Sequence, residues 1–174
     1  MIKAGAPDRK FLRQIFVCVD ITGPLYWFKE FDTYKIGTVA NSTSTMHKLA
    51  STPITKECFE MDDFQSEFEV LPEQKTKTDY NSALSMGDIA DNIITYCEAL
   101  RLLYKQTKDK KYWKELIRWL PNGWLQTRTV TLNYEILRNI YFQRKGHKLT
   151  EWHQFCDWIA SLPYAKELIL YTTD

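Results

Sequence analysis

The chain has 174 residues, 44% of them hydrophobic and 26% charged, which suits a folded protein with its own core and excludes disordered and fibrous classes. Twenty-three Lys and Arg against 22 Asp and Glu leave a net charge of +1, so no global field draws the chain to nucleic acid or to a membrane surface. Neither DNA nor a membrane is expected as a partner, and any anionic ligand must be held by local groups.

The aromatic content is high, with six Trp, ten Tyr and nine Phe. Such residues either stack on a planar ligand or are buried in a core or subunit interface, and burial is the reading taken here. The opening stretch MIKAGAPDRKF has no apolar signal-like region, and no apolar run approaches the roughly 18 residues of a membrane span. Cys18, Cys58, Cys97 and Cys156 are isolated, without the paired spacing of a zinc site, and read as reduced thiols of a cytoplasmic protein. His147 and His153 are six positions apart and do not share a helical face, so no metal site is expected and both are read as surface or capping residues.

In chain order, FLRQIFVCVDI (11–21) is rich in β-branched and aromatic residues and predicts a strand. Gly23-Pro24 interrupts it, and proline at a first helical position predicts a helix over PLYWFKEFDTYKI (24–36). GTVANSTSTMHK (37–48) is polar and hydroxyl-rich, and is either a solvated connector or a loop that cradles phosphate. ITKECFEM (54–61) is a short helix candidate. The acidic run DDFQSEFEVLPEQKTKTDYNS (62–82) then lacks periodicity, so residues 60–82 are expected to form a polar surface excursion.

Ile89, Ile93, Cys97, Leu100 and Tyr104 recur at intervals of three or four and predict an amphipathic helix over 85–106. Asp109 is placed to cap a second helix, KKYWKELIRWL, which stops before Pro121. RTVTL (128–132) alternates like a short strand. A helix follows on the stripe Ile136, Leu137, Ile140 and Tyr141. Thr150 is read as the cap of a last helix with Trp152, Phe155, Cys156 and Ile159 on its apolar side. Together these elements predict an α+β single domain, a small antiparallel sheet packed by helices.

Asn133 and Arg144 lie on the same stripe as Ile136 and Ile140, where a surface helix normally carries apolar groups only. Polar ends on an apolar face suit a helix that borders a ligand pocket. The alternative is structural: Asn133 caps the helix, and Arg144 pairs with Glu135, Glu151 or Asp157.

LPNGWLQTRTVTLNYEILRNIYFQRKGHKLTEWHQF (120–155) resembles the C-terminal signature of flavin-dependent thymidylate synthases, a leucine-proline turn, a strand, N-x-R-x-L-x-N-F-x-x-x-R and a Q-W-E-I-R element. Asn133, Leu137, Asn139 and Arg144 fall on that motif's N, L, N and R, and Glu151-Trp152 stands at its Q-W. Upstream, TYKIGTVANSTST (33–45) is similar in its place in the order to the family's R-H-R-x-x-S-x-N-E-x-S-x-R signature.

The departures are many. Thr33-Tyr34-Lys35 replaces R-H-R, Thr38 the first Ser, and Ala40-Asn41 the N-E pair. Ser44 matches the last Ser only with one inserted residue, which puts Met46 at the final Arg. Glu135 and Phe155 replace two arginines of the second signature. Of the N-terminal flavin contact only PDRKF (7–11) remains, with Lys10 for His. The resemblance therefore implies a diverged single domain lacking most of the family's N-terminal section, of the kind carried by bacteriophages.

It further implies a homotetramer that binds FAD and dUMP and, if active, forms dTMP with methylenetetrahydrofolate and NADPH. Arg144 would stabilise charge on the pyrimidine and contact the substrate. Asn133, Asn139 and Lys35 would hold the cofactor, and Thr38 and Ser44 the nucleotide. A relative that binds flavin or nucleotide without the reaction, and a structural or interaction protein that keeps only the fold, are the two other functions compatible with these departures.

Overall fold

The computed structural model describes residues 6–42, 45–61 and 86–172, which divide into two compact units: residues 1–43 with 126–174, and residues 44–125. The first holds a 3-10 helix (Ala6–Gln14), strand β1 (Phe16–Pro24), helix α1 (Leu25–Phe31), strand β2 (Val39–Ser42), strand β3 (Leu125–Asn133, all but its first residue), and helices α5 (Tyr134–Arg144), α6 (Thr150–Ser161) and α7 (Ala165–Leu168). The second holds α2 (Thr45–Ser51), a 3-10 turn (Lys56–Cys58), α3 (Met86–Thr107) and α4 (Lys110–Trp119).

The three strands run in the order β1-β3-β2. Val39, Ala40, Asn41 and Ser42 of β2 face Thr131, Val130, Thr129 and Arg128 of β3, an antiparallel register. On the other side, the Thr22 hydroxyl meets that of Thr127 at 2.8 Å, and the Thr129 hydroxyl donates to Asp20 at 2.6 Å. One strand advances by two as the other retreats by two, so this pair is antiparallel as well. Period-2 alternation then turns Val17, Ile21, Val130 and Leu132 toward the core and leaves Phe16, Cys18 and Asp20 exposed. The expected α+β architecture, a small antiparallel sheet packed by helices, is the one observed.

Aromatic residues fill the core of the first unit. Trp27, Phe28 and Phe31 of α1 pack with Trp152 and Phe155 of α6, and Trp27 lies 4.8 Å from Trp152 between ring centroids. Leu132, Leu137, Ile140 and Ile159 are fully buried around them. Each such side chain is worth about 1.5–3 kcal/mol, whereas a helix cap contributes about 1 kcal/mol. Packing therefore holds α5 and α6 in place, and the Asn133 cap sets where α5 begins.

Several local elements differ from the sequence reading. Residues 11–14 belong to the 3-10 helix, not to the strand, and Leu12 is fully buried by that turn. Pro24 is the residue before α1, and the helix ends at Phe31 instead of 36, closed by Thr33 N–H to Glu30 O and Tyr34 N–H to Phe31 O. Leu149 is the N-cap of α6, with Thr150 its first residue. Over Ile54–Met61 the expected helix is a 3-10 turn, Lys56–Cys58, followed by an isolated antiparallel bridge from Phe59 to Trp124. Asp109 does cap α4, accepting from Lys111 N–H at 3.0 Å, after Lys108 takes a left-handed φ of 58°.

In the second unit α3 and α4 pack on each other. Arg101, 4% exposed, donates to Glu98 at 2.7 and 2.6 Å, and Ile54 N–H adds a third bond to the same carboxylate at 2.8 Å. The expected excursion over 60–82 lies, from 62 on, outside the described residues. No helix among the described residues is long and apolar enough to cross a membrane.

Candidate functional site

Two stretches singled out in the sequence meet along α5. The chain after α1 runs beside this helix, which at 1.5 Å per residue is about 16 Å long. At its C-terminal end the Tyr34 hydroxyl donates to Gln143 Oε1 at 2.9 Å and accepts from Arg144 Nε at 2.8 Å. At its N-terminal end Gly37 lies against Asn133 and Ile136 so closely that a Cβ would come within 2.9 Å of Asn133 Nδ2 and 2.8 Å of Ile136 Cδ1. Its φ of +72° is left-handed, which glycine takes without strain.

Asn133 is buried and caps α5, its side-chain oxygen accepting from Ile136 N–H at 3.1 Å. The next loop residue, Thr38, has a buried hydroxyl with no hydrogen-bond partner among the described residues. A buried hydroxyl without a partner costs about 1–3 kcal/mol. It is therefore the group in this stretch with the most to gain from a polar ligand.

Arg144 is committed at the other end. Its Nη1 donates to Glu30 Oε2 at 2.9 Å, and its guanidinium lies 4.7 Å from the centre of the Trp152 ring. The same carboxylate oxygen accepts from Trp152 Nε1 at 2.9 Å and stands 3.4 Å from His147 Nε2. His147 Nδ1 accepts from Leu149 N–H at 3.2 Å, so the proton of the neutral ring is assigned to Nε2, facing Glu30. The acids weighed in the sequence lie elsewhere: Glu135 pairs with Arg13, and Glu151 accepts from the Tyr26 hydroxyl.

Two solved structures of thymidylate synthase X (ThyX) from Helicobacter pylori, both with FAD and dUMP, match this chain. The first has a TM-score of 0.55 at 14% identity over 95% of this chain and 82% of the other; the second has 0.56 at 16% over 95% and 83%. The chain has the ThyX fold. No protein-family model matches the sequence, and no curated protein does.

Within this ThyX fold the sequence candidates separate into three groups. Asn133 meets Gly37, the chain neighbour of Thr38, at the start of α5, and Arg144 stands at its end. Asn139 on α5 and Lys35 in the loop are exposed. Ser44 lies outside the described residues.

Sequence reasoning missed Glu30, which is 114 positions from Arg144 and carries no local sign of its partner. It placed Trp152 in the core without its hydrogen bond. Burial pushes the Cys156 thiol up to about 11, with the Asp157 charge adding to it, and raises that of Cys97. All four cysteines are free, and no group of three or more His, Cys, Asp or Glu among the described residues is arranged to hold a metal ion.

Proposed function

We propose that this chain is a flavin- or nucleotide-binding protein of the ThyX fold. The observation that carries the reading is the buried, unpartnered Thr38 hydroxyl beside Gly37 and the Asn133 cap, at the place where the two signature-like stretches meet. The neighbours of known structure are ThyX chains solved with FAD and dUMP, which supports the choice of ligand class. Asn133 Nδ2, the Thr38 hydroxyl and exposed Lys35 and Asn139 would hold the neutral and phosphate parts of such a ligand. Bound reduced flavin would supply electrons, and this chain would supply orientation.

In its fuller form the proposal includes methylation of dUMP with methylenetetrahydrofolate and NADPH, in a cytoplasmic homotetramer. That form requires Arg144 to turn from Glu30 to the pyrimidine. Self-association is supported by Phe16 and Val39, 66% and 71% exposed, and light scattering measures it directly. The second reading, a catalytically inactive homologue acting as a structural or interaction protein, is favoured by the engagement of Arg144 with Glu30, Tyr34 and Trp152.

The visible absorbance of purified protein, followed by titration with FAD and with dUMP at low salt, tests the choice. Binding that weakens in Thr38→Val supports the ligand reading. A colourless protein that takes up neither compound at millimolar concentration leaves the scaffold reading.

A further inference from the structure

We infer that Arg144, His147 and Trp152 form an oxyanion site in which Glu30 of the same chain is the resident occupant, and that an anionic ligand enters by displacing it. Two N–H groups donate to Glu30 Oε2, Arg144 Nη1 at 2.9 Å and Trp152 Nε1 at 2.9 Å, and the ring of His147 stands beside the same oxygen with Nε2 at 3.4 Å.

Each donor is held by contacts that do not involve Glu30. Arg144 Nε is fixed on the Tyr34 hydroxyl and its plane on the Trp152 ring. The His147 ring is fixed by the Leu149 N–H. The Trp152 ring is fully buried among Trp27, Phe31 and Phe155. Glu30 is the loosest member, its side chain 37% exposed against 20% for Arg144 and 25% for His147. Removing it leaves the donors aimed at an empty position that suits a carboxylate or phosphate oxygen.

This deepens the ligand reading above by assigning the place where a ligand's anionic group competes with the protein's own. It gives Glu30 the role of a latch: while the carboxylate is in place, Arg144 is unavailable to a weak ligand.

Chemical rescue tests it without flavin. Glu30→Ala is melted in low-salt buffer with and without added acetate or inorganic phosphate, beside the parent and the Glu30→Ala/Arg144→Ala double variant. The expected result is a lowered melting temperature that the anion largely restores in Glu30→Ala and leaves nearly unchanged in the other two. Recovery with acetate alone assigns a carboxylate-sized site, and recovery with phosphate a larger one. No recovery, or an equal rise in all three proteins, overturns the inference.

Should Glu30→Ala fail to fold, Glu30→Asp gives the same readout, because its carboxylate is one methylene too short to meet both Arg144 Nη1 and Trp152 Nε1. Stabilisation of that variant by added anion no greater than the parent's overturns the inference as well. The absorbance and titration results of the parent stand apart from this experiment, so failure of either does not decide the other.

Discussion

Replacing Arg144 by alanine removes three contacts whose worth can be added from the geometry. The bond to the Tyr34 hydroxyl contributes about 1 kcal/mol, and the Trp152 ring face about 0.5–1 kcal/mol. The ion pair with Glu30 adds about 0–1 kcal/mol, discounted because that carboxylate is 37% exposed. Glu30 is not left stranded, since Trp152 and His147 still face it, so the roughly 3–5 kcal/mol of breaking a fully buried pair does not apply.

The expected loss is therefore about 1.5–3 kcal/mol. At about 2–4 °C per kcal/mol for a chain of this size, the melting temperature should fall by about 3–12 °C. Circular dichroism melts of the parent, Arg144→Ala and Arg144→Lys measure it, with the lysine variant intermediate because it keeps the charge and loses the planar fork. An Arg144→Ala melt within about 1 °C of the parent would refute the reasoning, because it would mean that the guanidinium makes none of these contacts in solution.

Asn133→Ala should cost about 0.5–2 kcal/mol through the lost cap, and Asn133→Ser much less because serine also caps well, as denaturant midpoints of the two variants will show. Gly37→Ala should cost about 1–3 kcal/mol, since it forces a left-handed φ on alanine and pushes a methyl into Ile136 and Asn133; an unchanged midpoint would contradict the close approach. The bond from Arg101 holds the Glu98 carboxyl below its ordinary 4.5, so its contribution is complete above that pH and is lost as pH falls through the lowered value. The gap in melting temperature between the parent and Glu98→Gln should therefore narrow on acidification, and a gap that widens would reverse the sign of this linkage.

The elements legible in the sequence are those whose own periodicity decides them. The stripe of Ile89, Ile93, Cys97, Leu100 and Tyr104 defined α3, though only Cys97 and Leu100 of it are buried and Ile93 is exposed, and the one through Trp152, Phe155, Cys156 and Ile159, all buried, defined α6. Asp109 and Asn133 were readable as caps because a side chain two or three residues from the amide it serves is a local signal.

Where tertiary contacts decide, the sequence was silent. Strand β2 is exposed at all four positions and made of small or polar residues apart from Val39, so no alternation marks it, and it is a strand because β3 supplies its partners. Phe11 and Leu12 look like strand residues, yet they are drawn into a 3-10 turn by burial against the α5 side of the core. At the site, the approach of Gly37 to Asn133 and the partnership of Glu30 with Arg144 join positions about a hundred residues apart, beyond any spacing argument.

The register of β2 on β3 has a use in protein engineering. The chain leaves the first compact unit just after Ser42 and has re-entered it by Gln126, and Ser42 and Arg128 face each other across neighbouring strands. The whole of residues 44–125 is thus spliced into what is otherwise the bend of a β-hairpin. Two residues such as Asn-Gly can turn an antiparallel pair of strands, so Ser42 and Arg128 can be joined directly by a tight turn in place of residues 43–127, the inserted segment with the first three residues of β3. Such a miniature would keep α1, α5 and α6, and with them Glu30, Arg144 and Trp152, on a shorter polypeptide in which β2 and β3 become neighbours in sequence as well as in space.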